Sequence, residues 1–388
     1  MGNAYTTQNN DTIGTAIRYK PEKLFSRIRS TGRKLYIEPN TLKTLENLNT
    51  YDQHQVAVGI DALASIPLPI DGVQHKSRPT LFRAKKAPGL AGNFIIKYTV
   101  NPNYVVVSSI SLNYNVLGEK RVSKDEKSAL YRIVRNSNTQ FDDSITPLKA
   151  EKLEESWLPK NPVIKIKTQY AAVNGMLNNL AKASWLMGTH LDTAYKHDSF
   201  NEYTLFHNPS EGNLLDFYES VQDNVGFSTN NAKQLAAILQ DVQSKGKPVK
   251  WVVHSQGGII FKQALKHHIK THGNAGLNMN SVSFHAGGNN QKVTDKLLAQ
   301  VGIKKENPDR NNPFDIVSNI AGGNDLSLGA IKRSLQFRKN VKGSGTASIV
   351  ESPHTLPFLS LEAYKSFLTQ AGDHQSAAKV AKYMESIK

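Results

Sequence analysis

The rhythm of apolar and polar positions changes near residue 150. Upstream, the chain is polar and leans toward β-structure. Asn93-Phe-Ile-Ile-Lys-Tyr-Thr-Val and Tyr104-Val-Val-Val-Ser-Ser-Ile-Ser-Leu-Asn read as two strands, with Asn101-Pro102-Asn103 as the turn of a hairpin. From Glu151 onward, strand-like and helical patterns alternate. Residues 162–173 are strand-like, and 176–186 place apolar residues at helical spacing. A short strand at 203–207 runs into a turn at 208–212. Helices are predicted over 214–221, 232–242, 258–270 and 292–301, and strands over 248–254, 281–286 and 313–317. Strands alternating with helices of this length predict βαβ units and a mostly parallel sheet covered on both faces. The expected fold class is therefore α/β, with a module of α+β character at 1–150 and a second domain at 151–388. Ligands of such sheets sit beyond the carboxyl ends of the strands, so the chemistry is sought there.

The clearest chemical signal follows the strand 248–254. Trp251-Val-Val-His254-Ser255-Gln256-Gly257-Gly258-Ile-Ile fits strand, sharp turn and helix. That context presents a serine as a nucleophile, and the helix beginning at Gln256 offers a backbone N–H and a positive dipole end to an oxyanion. The glycine expected two residues before the serine is replaced by Val253, while Gly257 and Gly258 follow it.

A nucleophilic serine needs a base and an acid, in the chain order Ser, acid, His. Of the 12 histidines, His285, His354 and His374 lie downstream of the elbow helix. His285 precedes the candidate acids; His354, in a late loop before the last helix, has the required order. Asp315, in the predicted strand 313–317, is the preferred acid. Asp325 is the alternative on a loop, and Asp309 a third candidate. The second oxyanion donor is expected from Met176, just after Asn174-Gly175, with the loop His207–Gly212 as the other candidate. His268 and His272 have helical spacing, but no acidic third ligand is near, and a solvated helix face is the simpler reading. No cofactor and no metal are expected.

These residues carry a resemblance. Val-Val-His-Ser-Gln-Gly-Gly, Asp315-Ile-Val and His354, in that order, resemble an α/β-hydrolase of the lipase/esterase type over about residues 160–388. The Asp-Ile-Val segment is similar to the acid segment of class 3 lipases. Val173-Asn-Gly-Met, Leu205-Phe-His-Asn-Pro-Ser-Glu-Gly and the elbow also resemble lipase-like toxin domains, including type VI secretion lipase effectors. The resemblance implies an α/β-hydrolase fold, a Ser255–Asp315–His354 triad and hydrolysis of a lipid or other ester. It also implies that 1–150 would serve delivery, as an adaptor or toward an immunity protein, with a secretion system as partner.

Composition narrows the setting. The 38 residues between Asp315 and His354 are long for a connection and predict a lid or binding loop. Leu326, Leu328, Ile331, Leu335 and Phe337 in it are apolar, and Lys332, Arg333, Arg338 and Lys339 are basic, a combination suited to anionic lipid. The whole chain carries +16, with 21 basic and 12 acidic residues in 1–150 and 27 and 20 in the remainder, so the charge is spread and not a tail. An anionic membrane surface is the expected partner. The Arg83, Lys85, Lys86 and Lys97 set near the hairpin lacks interleaved aromatics, and nucleic acid is not expected. The absence of cysteine excludes disulfides and thiolate chemistry. The first ten residues lack a basic head and an apolar stretch, so the expected route is signal-peptide-independent secretion, with the chain cytoplasmic before delivery. Two competing readings are a non-lipolytic serine esterase and a catalytically inactive hydrolase-fold adaptor.

Overall fold

The computed structural model describes residues 5–6, 15–16, 34–63, 80–83, 93–100, 104–112, 129–136, 141, 153, 156–175, 178–208, 229–343, 353–354, 356 and 359–387. The chain divides into two compact units. One comprises Met1–Gly118 with Pro162–Lys165, the other Glu119–Asn161 with Ile166–Lys388.

The first unit is α+β. Its six-stranded sheet has the order β1-β2-β3-β6-β5-β4, formed by Tyr5–Thr6 (β1), Thr15–Ala16 (β2), Lys34–Ile37 (β3), Thr80–Arg83 (β4), Phe94–Val100 (β5) and Tyr104–Leu112 (β6). The expected hairpin forms: β5 and β6 pair antiparallel, with a register shift between Lys97 and Tyr98. Its turn, 101–103, lies outside the described residues. Helices α1 (Pro39–Glu46) and α2 (Thr50–Leu63) follow β3; Pro39 opens α1, where the missing N–H costs nothing. Ile37, Leu45, Val56, Ile60, Phe94, Ile96, Val105 and Val107 form the core of this unit.

The second unit holds a seven-stranded sheet of order β13-β12-β11-β9-β10-β7-β8. Its strands are Ala129–Arg135 (β7), Trp157–Val163 (β8), Tyr170–Val173 (β9), Glu202–His207 (β10), Val249–His254 (β11), Asn280–His285 (β12) and Lys304–Lys305 (β13). β13, β12, β11, β9 and β10 run parallel, and β7 pairs antiparallel with β10. Every residue of β9 is buried, as are the last four of β11 and of β12; β9 and the Trp-Val-Val of β11 accordingly read as apolar runs. Helices α3 (Leu180–Ala194), α4 (Asn230–Lys245), α5 (Gln256–His272), α6 (Gln291–Val301), α7 (Leu328–Gly343), α8 (Leu361–Gln370) and α9 (His374–Ser386) complete the unit. This mixed α/β arrangement with a mostly parallel sheet is compatible with an α/β-hydrolase.

Three expectations are corrected. The boundary lies at 118/119 and not at 150, because β7 belongs to the parallel sheet through six register pairs with β10. The helix predicted from 176 begins at Leu180, where Asn179 accepts from the Lys182 N–H as its cap. The strand predicted over 313–317 does not form. Phe314 N–H donates to the Asn312 side chain and Asp315 N–H to the Asn312 carbonyl, closing a turn that leads into a π-helical segment, Val317–Ala321. The helix predicted over 214–221 lies outside the described residues.

Candidate active site

The serine sits where β11 ends and α5 begins. Ser255 has φ 57° and ψ −127°, and among the described residues only Ala286 shares a positive φ without being glycine. Such a backbone costs on the order of 1–3 kcal/mol, and it persists where its surroundings over-determine it. They do so here: the Ser255 carbonyl accepts from Gly258 N–H at 3.0 Å and Gly288 N–H at 2.9 Å. The glycines around it are required by close approach. A Cβ on Gly257 would stand 2.6 Å from the Val173 carbonyl oxygen, and one on Gly258 2.2 Å from Asn289 Oδ1. The motif is therefore built for a helix pressed against the sheet, with Ser255 at the crest of the turn.

The expected base and acid, His354 and Asp315, meet. His354 Nδ1 lies 2.8 Å from Asp315 Oδ2, and the other carboxylate oxygen of Asp315 accepts from Val317 N–H at 2.9 Å. Asp315 is 1% exposed. A carboxylate oxygen accepts, so Nδ1 donates in this bond and Nε2 is the ring nitrogen left free of Asp315. Asp325 is engaged elsewhere: it pairs with Arg333 and accepts from Ser327, and the Ser327 hydrogen bonds hold its carboxyl below the usual range. Asp309 pairs with Lys305 at 2.7 Å. His374 opens α9, and His285 is buried at the end of β12.

The oxyanion side is partly described. Gln256 is the first residue of α5, at its positive end, and is buried. Met176 lies outside the described residues. Gly175, just before it, comes so near the nucleophile that a Cβ would stand 2.6 Å from Ser255 Cβ and 3.0 Å from its Oγ. Asn174 and Asn208 tie the ends of β9 and β10 together: Asn208 N–H donates to Asn174 Oδ1 at 2.8 Å, and Asn174 Nδ2 to the Asn208 carbonyl at 3.1 Å. Asn208 Nδ2 donates in turn to Gln256 Oε1, and Asn231 Nδ2 to Asn208 Oδ1. Buried amides satisfied in this way set the loops around the elbow at fixed distances. Gly175→Ala is expected to lower kcat about 100-fold by displacing the nucleophile, with the melting temperature nearly unchanged. Steady-state kinetics beside a thermal melt checks this, and unchanged kcat would show that the contact yields freely.

Sequence reasoning missed the residues beneath the base. His254, His190 and His285 are at most 2% exposed. His254 Nε2 is 3.0 Å from the His354 carbonyl oxygen, and His190 Nδ1 is 2.9 Å from His285 Nδ1. Burial holds all three well toward the neutral form, with His254 pushed down to about 3. Only the parallel register that places His254 beside His285 gathers them, and no spacing along the chain announces it. The His268 and His272 rings lie 5.1 Å apart, tilted by 38°, and the His268 ring bonds the Ala275 carbonyl. Among the described residues no group of three His, Asp or Glu side chains could hold a metal ion.

Beyond Asp315, the expected lid contains α7. Leu326, Leu328 and Leu335 are exposed at 61%, 86% and 44% beside the exposed Lys332. The Phe337, Arg338 and Lys339 side chains lie outside the described residues. No described helix is long and apolar enough to cross a membrane.

No protein family and no curated protein matches the chain. Among solved structures, the mature form of Bacillus licheniformis lipase BlEst2 is similar at 16% identity. The match covers 49% of this chain and 79% of that one, with a TM-score of 0.19. At that level of overlap the likeness adds nothing to the geometry of Ser255, Asp315 and His354.

Proposed function

We propose that the chain is a serine-dependent carboxylic ester hydrolase acting on lipid. The observation that carries this reading is a strained serine between strand and helix, adjoining a residue that bonds the loop of a histidine already paired with a buried carboxylate. In this reading Ser255 Oγ attacks the ester carbonyl while His354 Nε2 takes its proton. Asp315 holds the imidazole and stabilises its cation. Gln256 and Met176 N–H groups bind the tetrahedral oxyanion. The proton then passes from His354 to the leaving alkoxide, and water repeats the sequence to release the acid.

Membrane lipid is the favoured substrate because exposed leucines at the start of α7 stand beside basic residues in a chain of net charge +16. Each basic residue near an anionic surface contributes about 1 kcal/mol, screened within a Debye length. Hydrolysis of anionic vesicles should therefore exceed that of zwitterionic ones and fall as salt rises, while a soluble short-chain ester should be nearly indifferent to salt. Equal, salt-insensitive rates on both vesicle types would leave a general esterase. In the same reading the chain acts as an antibacterial effector, with a secretion component or an immunity protein as partner. Co-purification with an adjacent-gene product that suppresses its lipolysis would test that step. Labelling of Ser255 by a fluorophosphonate tests the enzyme reading itself; an unlabelled, folded chain points to the inactive adaptor.

A further inference from the structure

The residue before the nucleophile has no part in the reaction just described, yet it touches the base. His254 ends β11, is 2% exposed, and places its Nε2 3.0 Å from the His354 carbonyl oxygen. Its ring lies 4.8 Å from that of His354, centroid to centroid, at a tilt of 41°. A carbonyl oxygen only accepts, so Nε2 is the protonated nitrogen and Nδ1 carries a lone pair. Nδ1 has no hydrogen-bond partner; it faces Gly175, where a Cβ would stand 3.4 Å away. A buried imidazole that leaves one nitrogen unsatisfied is costly, and the geometry spends that cost on a single bond to the base's backbone. On its far side the His254 ring meets His190 at 4.5 Å and 31°, and His190 meets His285. Those rings fix the plane of His254 by packing.

We infer that His254 is a positioning residue for His354: its Nε2–H fastens the base-bearing loop to the strand end that presents Ser255. Asp315 holds the His354 ring and His254 holds its backbone, so two bonds at opposite ends of one residue fix both the place and the rotation of the imidazole. Because His254 and Ser255 are adjacent, the same strand end then sets nucleophile and base together, and their separation does not depend on the long connection between Asp315 and His354. This inference rests on the Ser255–His354–Asp315 reading.

The test uses the full chain, wild type, His254→Gln and His254→Asn. Glutamine carries its amide nitrogen about as far from the backbone as Nε2 and can reach the carbonyl; asparagine cannot. Measured quantities are kcat and KM on a soluble p-nitrophenyl ester, the rate of Ser255 phosphonylation, the melting temperature and the downfield proton resonance of the His354–Asp315 bond. His254→Asn is expected to lose about 100-fold in kcat and in phosphonylation rate with KM within about twofold, and to broaden the downfield resonance. His254→Gln is expected to recover to within about tenfold of wild type and to retain that resonance. Wild-type rates in His254→Asn, or equal losses in both variants that follow the fall in melting temperature, would overturn the positioning role. A folded wild-type chain that does not label at Ser255 would instead remove the hydrolase reading, and this inference with it.

Discussion

Ser255→Ala and His354→Ala are each expected to reduce ester hydrolysis by on the order of 10⁴-fold or more, and the double variant to lose no more than either alone. The non-additivity follows from the geometry. Once the hydroxyl is gone, Nε2 of His354 has no proton to take, and once the imidazole is gone the hydroxyl has no base. Asp315→Asn is expected to cost less than either, because it disturbs tautomer and orientation but leaves nucleophile and base in place. Asp325→Asn should leave kcat near wild type, since Asp325 serves Arg333 and Ser327. Ser255→Ala also relieves nothing that holds the fold, because the turn is set by backbone bonds from Gly258 and Gly288. Circular dichroism and the melting temperature should therefore stay close to wild type while activity disappears. Retention of most activity in a folded Ser255→Ala chain would end the proposal, and a larger loss in Asp325→Asn than in Asp315→Asn would move the acid to the loop.

What could be read from the chain was what short segments decide. An apolar run meeting Ser-Gln-Gly-Gly can make little other than a tight strand-to-helix turn, since both glycines face atoms that leave no space for a side chain. Asp315 was legible as a residue type in the right order, but its setting was misread. Pro313-Phe-Asp-Ile-Val alternates like a strand, yet the Asn312 side chain and the Asp315 carboxylate capture nearby N–H groups and bend the segment into a turn and helix. The domain boundary failed for the opposite reason. β7 is recruited to the sheet by β10, some 70 residues away, and no local pattern distinguishes it from the preceding β-rich unit. The amide network of Asn174, Asn208 and Gln256 and the histidines beneath His354 were invisible in the same way. Apart from His190, which lies inside α3, each is an ordinary polar residue at the end of a different element, and the sheet order β11-β9-β10 on one side and β11-β12 on the other brings those ends together.

Those histidines are expected to make the α/β unit acid-labile. His190, His254 and His285 titrate near 6.5 in the unfolded chain, and burial lowers all three in the folded one, His254 to about 3. Neighbouring charges add to burial: His254, His285, Arg310 and His354 on His190, Arg310 and His254 on His285, and the His354 ring on His254, where the bond to the His354 carbonyl works the other way. For a base whose folded pKa is depressed, both states are neutral above about pH 6.5 and the full stability is present. As pH falls through 6.5, the unfolded chain binds protons that the folded chain refuses, so stability drops, and for His254 it goes on dropping until about pH 3. One unit below the unfolded value, a group kept neutral in the folded chain costs on the order of 1 kcal/mol, so the three together remove a few kcal/mol by pH 5.5. Against a typical 5–15 kcal/mol for a domain, that is a substantial share. Denaturant unfolding followed from pH 7.5 to 5.5 should show this loss, and His190→Phe should flatten the slope by about one proton while lowering stability at pH 7.5 through the lost bond to His285. A stability that is level across that range, or a slope untouched by His190→Phe, would mean that the buried rings exchange protons with solvent as freely in the folded chain as in the unfolded one.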